Sequence, residues 1–153
     1  MAHVNDVAAY ILARIGPMTA MKLQKLCYYA YGYHLAWEGR RLFPEQFEAW
    51  ANGPVSPVLY AEHRDRFELD DGDIAGDPDV LDEGERESVD IVLSNLGDLS
   101  AHDLSTMTHR EPPWINARTR ARVGPLDRCD ESIDDEEIYT FFDALVAADG
   151  RQA

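Results

Sequence analysis

The stretch Thr19–Gly39, TAMKLQKLCYYAYGYHLAWEG, decides the fold. Thr19 is a good helix N-cap, and Gly39 is the residue that most easily ends a helix. Between them Leu23, Leu26, Cys27, Ala30, Tyr33, His34 and Trp37 recur at helical spacing. Tyr28, Tyr29, Tyr31 and Tyr33 carry the non-polar cover round most of the circumference. A helix that is apolar or aromatic nearly all round is enclosed by other elements, so this one is expected at the centre of a helical domain. Gly32, inside it, costs about 1 kcal/mol against alanine. Its presence predicts a close approach by a neighbouring helix.

The flanking segments supply that enclosure. A first helix is read from Asn5 to Ile15, capped by Asn5 and stopped by Gly16-Pro17, with Val7, Ile11, Leu12 and Ile15 on one face. Beyond the central helix, Phe47, Ala49 and Ala51 alternate with Glu48 and Trp50, and Asn52-Gly53-Pro54 makes a turn. One short extended hairpin is therefore expected near residues 46–55. Ser56 followed by Pro57 is a cap plus a first-turn proline, opening a helix that carries Leu59, Tyr60 and His63. Residues 68–85, ELDDGDIAGDPDVLDEGE, are acidic, glycine-rich and aperiodic, which predicts a mobile loop. Further helices are read from about Glu85 to Leu96, from Ser100 through Met107, and from Pro113 through Arg118. The last is read from a capping box of Ser132 and Asp135, with a frayed tail over 148–153. The sum is an all-α fold: a compact domain of about six helices and one hairpin over residues 1–147.

The chain has 153 residues, a length typical of one domain. Twenty-nine acids face 14 bases, a net charge of −15. Such a surface repels phosphate and makes nucleic-acid binding by this chain alone unfavourable, while it attracts a basic protein partner. The two cysteines, Cys27 and Cys129, form no C-x-x-C pair, as expected of a reduced, cytoplasmic protein. The first residues lack the basic start and apolar run of a signal peptide, and no apolar run is long enough to span a membrane.

The most reactive-looking stretch is Leu104–Arg118, LSTMTHREPPWINAR. His109 as base, with Ser105 or Thr108 as nucleophile and Glu111 as orienter, would be the enzymatic reading. It lacks support elsewhere. There is no G-x-S-x-G elbow, no phosphate-cradling glycine loop, no H-E-x-x-H and no complete calcium loop, so neither a metal nor a cofactor is expected. A mid-helix Ser105 is expected to bond back to the preceding turn. Read physically, Thr108 ends a helix, His109 donates to one of its free carbonyls, Pro113 starts the next helix and Trp114 enters the core. Arg118, one turn on, reaches back toward Trp114 or Glu111.

Three motifs, MTAMKLQKLCYYAYGYHLAW, FEAWANGPVSPVLY and LSTMTHREPPWINAR, stand in an order and spacing that resemble the Panacea-domain proteins, the SocA-like, phage-associated antitoxins. The resemblance covers roughly Val4 to Arg118. It implies a small helical domain that is not an enzyme. Such a domain neutralises a protein toxin, encoded by an adjacent gene, by direct binding. At least one branch instead delivers its toxin to an ATP-dependent protease. From the family pattern and residue chemistry, the candidate partner-binding residues are Lys22, Lys25, Tyr28, Tyr29, Trp50, Tyr60, His109 and Arg118. Gly53, Pro54, Pro57, Thr108, Pro113 and Trp114 are expected to be structural.

Overall fold

The computed structural model describes residues 1–152, and the side chains of residues 1–149. Seven α-helices, rather than about six, form among the described residues: α1 Val4–Ile15, α2 Ala20–Glu38, α3 Pro57–His63, α4 Glu83–Leu96, α5 Ala101–Thr108, α6 Pro112–Ala121 and α7 Asp135–Gln152. Helices α5 and α6 stand apart, as read from the sequence, either side of the Pro112-Pro113 corner, since proline cannot extend a helix beyond its first turn. Two antiparallel ribbons complete the fold. Strands β1 Met18–Thr19 and β4 Glu68–Leu69 pair with each other, as do β2 Glu48–Trp50 and β3 Gly53–Val55.

Helix α2 is the axis, with α1, α4, α5 and α7 packed round it. Leu23, Leu26, Cys27, Tyr28 and Ala30 are completely buried. The tyrosines form an edge-to-face girdle. Tyr28 meets Phe47 at 5.2 Å and Phe142 at 5.9 Å, and Tyr33 meets Phe142 at 4.9 Å. These are the separations at which aromatic quadrupoles attract. Gly32 permits this: a Cβ there would lie 2.2 Å from the Phe142 ring, so any larger residue would push α7 off α2.

The caps at Thr19, Ser56 and Ser100 stand where expected, each accepting from a backbone N–H of its first turn. Two others do not. His3, not Asn5, precedes α1, its backbone N–H donating to Asp6 Oδ2 at 2.8 Å. Asp134, not Ser132, caps α7, its carboxylate accepting from Glu137 N at 3.1 Å. Ser132 is diverted into an extended bridge with Glu48. Ala49 N donates to Glu131 O at 2.9 Å and Ile133 N to Phe47 O at 2.8 Å, so β2 runs between β3 and residues 131–133.

Residues 68–85, expected as a mobile loop, carry short regular pieces within an otherwise irregular path. The segment holds β4, a 3-10 turn at Pro78–Val80 and the start of α4, two residues earlier than read from sequence. Leu69, Ile74 and Leu81 are buried in the core. The tail beyond residue 147 is helical backbone through Gln152, and Ala153 lies outside the described residues.

Candidate functional site

The three motifs converge on one element, the β2–β3 hairpin. Its carbonyls project toward the helices, and five of them, with that of Ser56 just beyond, meet polar side chains from α2, α5 and α6 and from His109 at the end of α5. Arg118 Nη1 reaches Ala49 O at 2.8 Å and Trp114 Nε1 reaches Trp50 O at 2.9 Å. His109 Nε2 lies 2.9 Å from Ala51 O, and Ser105 Oγ donates to Asn52 O at 2.9 Å. Lys25 Nζ donates to Pro54 O at 3.3 Å and Gln24 Nε2 to Ser56 O at 3.2 Å. Gln24 also accepts from Ser56 N through Oε1 at 2.8 Å. A two-stranded ribbon of this size is not stable alone. Here α2, α5 and α6 hold it as a jig holds a part.

This cradle decides the roles of most candidate residues. Arg118 is 5% exposed and donates to three backbone carbonyls, those of Ala49, Gly124 and Asp127, at 2.6–2.8 Å. Its guanidinium lies 5.2 Å from the centre of the Trp114 ring, while Glu111, the other expected partner, instead accepts from Tyr29. Lys25 is buried, and burial pushes its ammonium down to about 7. Its stem packs against Gly53. That glycine has φ of +117°, and a Cβ there would stand 2.6 Å from Lys25 Cε and 2.9 Å from Thr108 Oγ1. Glycine is therefore required twice over, by the backbone conformation and by the space.

Tyr28 and Tyr29 are buried as well. Tyr29 donates to Glu111 Oε2 at 2.7 Å, while the Tyr28 hydroxyl and Glu111 Oε1 have no partner among the described residues. Burial pushes Glu111 up to about 7, against the opposing effect of the Tyr29 hydrogen bond. Lys22 is half-buried, its Nζ donating to Gly97 O at 2.5 Å, the carbonyl just beyond α4. This is the favourable position for a cation at a helix C-terminus.

His109 sits at the end of α5 as expected, with Nδ1 2.6 Å from Ser105 O. Both ring nitrogens face carbonyl oxygens. A neutral ring donates to one of them, and only the doubly protonated ring donates to both. Neither nitrogen is aimed at a nucleophile. Ser105 Oγ spends its proton on Asn52 O instead of bonding back along its helix, contrary to the reading from sequence. The hydroxyl is 3.5 Å from His109 Nδ1, at the outer limit of a hydrogen bond.

Held this way, the hairpin presents its outer side to a cleft of about 720 Å³ bounded by α2, α3 and residues 128–130. Trp50 and Tyr60 are half-buried in its wall, ring centres 4.9 Å apart and close to perpendicular. Tyr60 in turn meets His63 at 5.2 Å. His63 Nε2 faces Gln24 Nε2 at 3.0 Å, an amide donor, which places the ring proton on Nδ1. Burial is the main reason His63 titrates below the ordinary imidazole value, and Lys25 adds to it. Met21 and Cys129 line the floor, and Glu48, Arg128 and Asp130 the rim. Of the candidate partner-binding residues, Trp50 and Tyr60 are the two this cleft brings together.

Met21, His63, Cys129 and the rim charges were not singled out from the sequence. They come from four separated segments, and no spacing links them. Gln24 carried a signal: a polar residue within an otherwise apolar helix implies a buried partner. Among the described residues no three or more of His, Cys, Asp and Glu are grouped to hold a metal ion. No helix among them is long and apolar enough to cross a membrane.

The cradle residues and the hairpin lie almost wholly within a recognised family region. Residues 23–115 match the family described as antitoxin SocA-like, Panacea domain. The chain belongs to the SocA-like Panacea-domain family. It is also 32% identical over 110 residues to the protein named antitoxin SocA of Caulobacter vibrioides, strain NA1000 / CB15N. That alignment covers 64% of this chain and 58% of the relative, so the chain spans under two thirds of its curated relative's length. No solved structure matches the chain. Arg118, a principal anchor of the hairpin, lies three residues beyond the matched Panacea region.

Proposed function

We propose that this SocA-like protein is the antitoxin of a toxin-antitoxin pair. It binds a protein toxin, the product of an adjacent gene, and covers the surface that toxin needs, without carrying out chemistry of its own. Membership of an antitoxin family is the observation that carries the reading. The physical features are consistent with it. A hairpin held at five of its carbonyls offers a binding surface that loses little freedom on association. Trp and Tyr, half-buried and adjacent, are residue types that dominate protein interfaces. A net charge of −15 speeds capture of a basic partner, and proteins acting on nucleic acids or nucleotides carry basic sites. Action in the cytoplasm fits the two unpaired thiols.

Co-expression with the neighbouring gene product is the direct test. A stable stoichiometric complex and rescue of growth are expected. Absence of both would sink the proposal. Following the toxin after translation arrest separates mechanisms: an unchanged half-life is expected for occlusion, and a shortened one would mean delivery to a protease.

A further inference from the structure

The cleft over the β2–β3 hairpin has a chemistry more specific than a generic apolar groove. One wall is aromatic, Trp50 against Tyr60. Its rim carries two carboxylates, Glu48 and Asp130, against one guanidinium, Arg128. Glu48 is already oriented. Its Oε1 accepts from Trp50 Nε1 at 2.8 Å, which fixes the carboxylate beside the indole and leaves the second oxygen available. Neither Glu48 nor Asp130 forms an ion pair among the described residues. Met21, Val55 and Cys129, lining the cleft beside Asn52 and His63, offer an apolar stretch that suits a methylene stem.

An aromatic face beside an oriented carboxylate is a receptor for a cation on an aliphatic stem. The ring quadrupole attracts the charge, the carboxylate supplies the directed hydrogen bonds, and the apolar wall covers the stem. Arginine fits better than lysine, because its planar group can stack on a ring and present a fork of N–H donors to a carboxylate at once. We infer that this cleft docks an arginine-bearing segment of the toxin, with the guanidinium over the Trp50–Tyr60 wall and bonded to Glu48. The inference rests on the direct-binding reading above and names the surface and the chemistry of that contact. The sign of the rim follows from it: Asp130 assists the incoming charge and Arg128 opposes it.

The test uses the whole chain and the neighbouring gene product as the probe. Trp50→Ala or Tyr60→Ala should weaken the complex about 30-fold or more, the scale of an interface anchor. Neither side chain donates to a hairpin carbonyl, Trp114 bonds the backbone carbonyl of residue 50, and thermal melting checks that the fold is kept. Glu48→Gln with Asp130→Asn should weaken it several-fold, and Asp70→Asn with Asp71→Asn, which removes equal charge from the acidic segment, should not. Arg128→Ala should tighten it. Cys129 supplies an independent readout. Cys27 is fully buried, so alkylation of the folded chain reports Cys129, and complex formation should slow it strongly.

Equal weakening by the two double variants would mean attraction by overall charge and would overturn the inference. So would weaker binding on Arg128→Ala, or an unchanged Cys129 rate within an intact complex; in each case direct binding would still stand. If no complex forms at all, the direct-binding reading fails and the inference fails with it.

Discussion

The β2–β3 hairpin and the acidic segment 68–85 are both short on regular structure, yet they are held differently. The hairpin is held from outside. Its anchors Lys25, Gln24, Ser105, His109, Trp114 and Arg118 lie 29 to 69 residues from the carbonyls they bond. The acidic segment combines two distant holds, the β1–β4 pairing and Asp77 N donating to Asp6 Oδ1 at 2.8 Å, with a run of local turn bonds. Asp73 accepts from Asp70 N, Asp77 from Asp79 N and Asp82 from Glu85 N, all within three residues, and Leu69, Ile74 and Leu81 plug into the core. Local turn chemistry can order a segment anywhere on a surface. Distant anchoring fixes a segment relative to the rest of the molecule, which is what a binding surface needs.

Four measurements can break or sharpen that contrast. The largest effect is expected at Arg118. Arg118→Ala removes three charge-assisted hydrogen bonds, one of them to the buried carbonyl of Ala49, and should cost about 3 kcal/mol or more in urea unfolding. A loss under about 1 kcal/mol, the size of a single ordinary hydrogen bond, would mean that the hairpin does not depend on its distant anchors. Next, Ile74→Ala should cost about 2–4 kcal/mol, the usual effect of emptying a buried site. A mobile acidic loop would show almost none.

The third concerns the buried ionisable groups beside the hairpin. The fold raises Glu111 from 4.5 to about 7, so the folded chain holds an extra proton between those values. Its stabilising contribution is complete below 4.5 and is lost as pH rises to about 7. The fold lowers Lys25 from 10.5 to about 7, so there the unfolded chain holds the extra proton. The destabilisation from Lys25 is present below 7 and is relieved as pH rises toward 10.5. Together they place a minimum of stability near neutral pH. In melting curves across pH, Glu111→Gln should flatten the acidic limb and Lys25→Met the alkaline one. Unchanged limbs would show that neither group titrates inside the fold. The smallest effect belongs to the local regime: Asp82→Ala removes the α4 cap and should cost about 1 kcal/mol, measured by the same unfolding.

Much of the architecture was legible because it is written in short-range chemistry. Caps at Thr19, Ser56 and Ser100 declare themselves by residue type and by the helical pattern of their C-terminal neighbours. Gly32 announced its close contact, since a glycine inside a strong helix needs a reason. The failures are equally specific. His3 and Asp134 displaced the expected caps Asn5 and Ser132, because helix boundaries slide by a residue or two to suit packing. The acidic segment looked structureless because its three apolar plugs, Leu69, Ile74 and Leu81, are spaced to match neither helix nor strand. In the site, the sequence pointed to Trp50 and Tyr60 but set beside them Lys25, Tyr28, Tyr29 and Arg118, which the fold encloses.

What the sequence by itself determined is the set of helices, the β2–β3 hairpin, the all-round burial of α2 and the family to which the motifs point, for each is carried by residue type and spacing along a few turns of chain. Only the tertiary structure decided what the motif residues do. A lysine, a histidine or an arginine has the same letter whether it meets solvent, a partner or a buried carbonyl. The choice among these depends on acceptors brought up from tens of residues away, and no local pattern encodes that meeting.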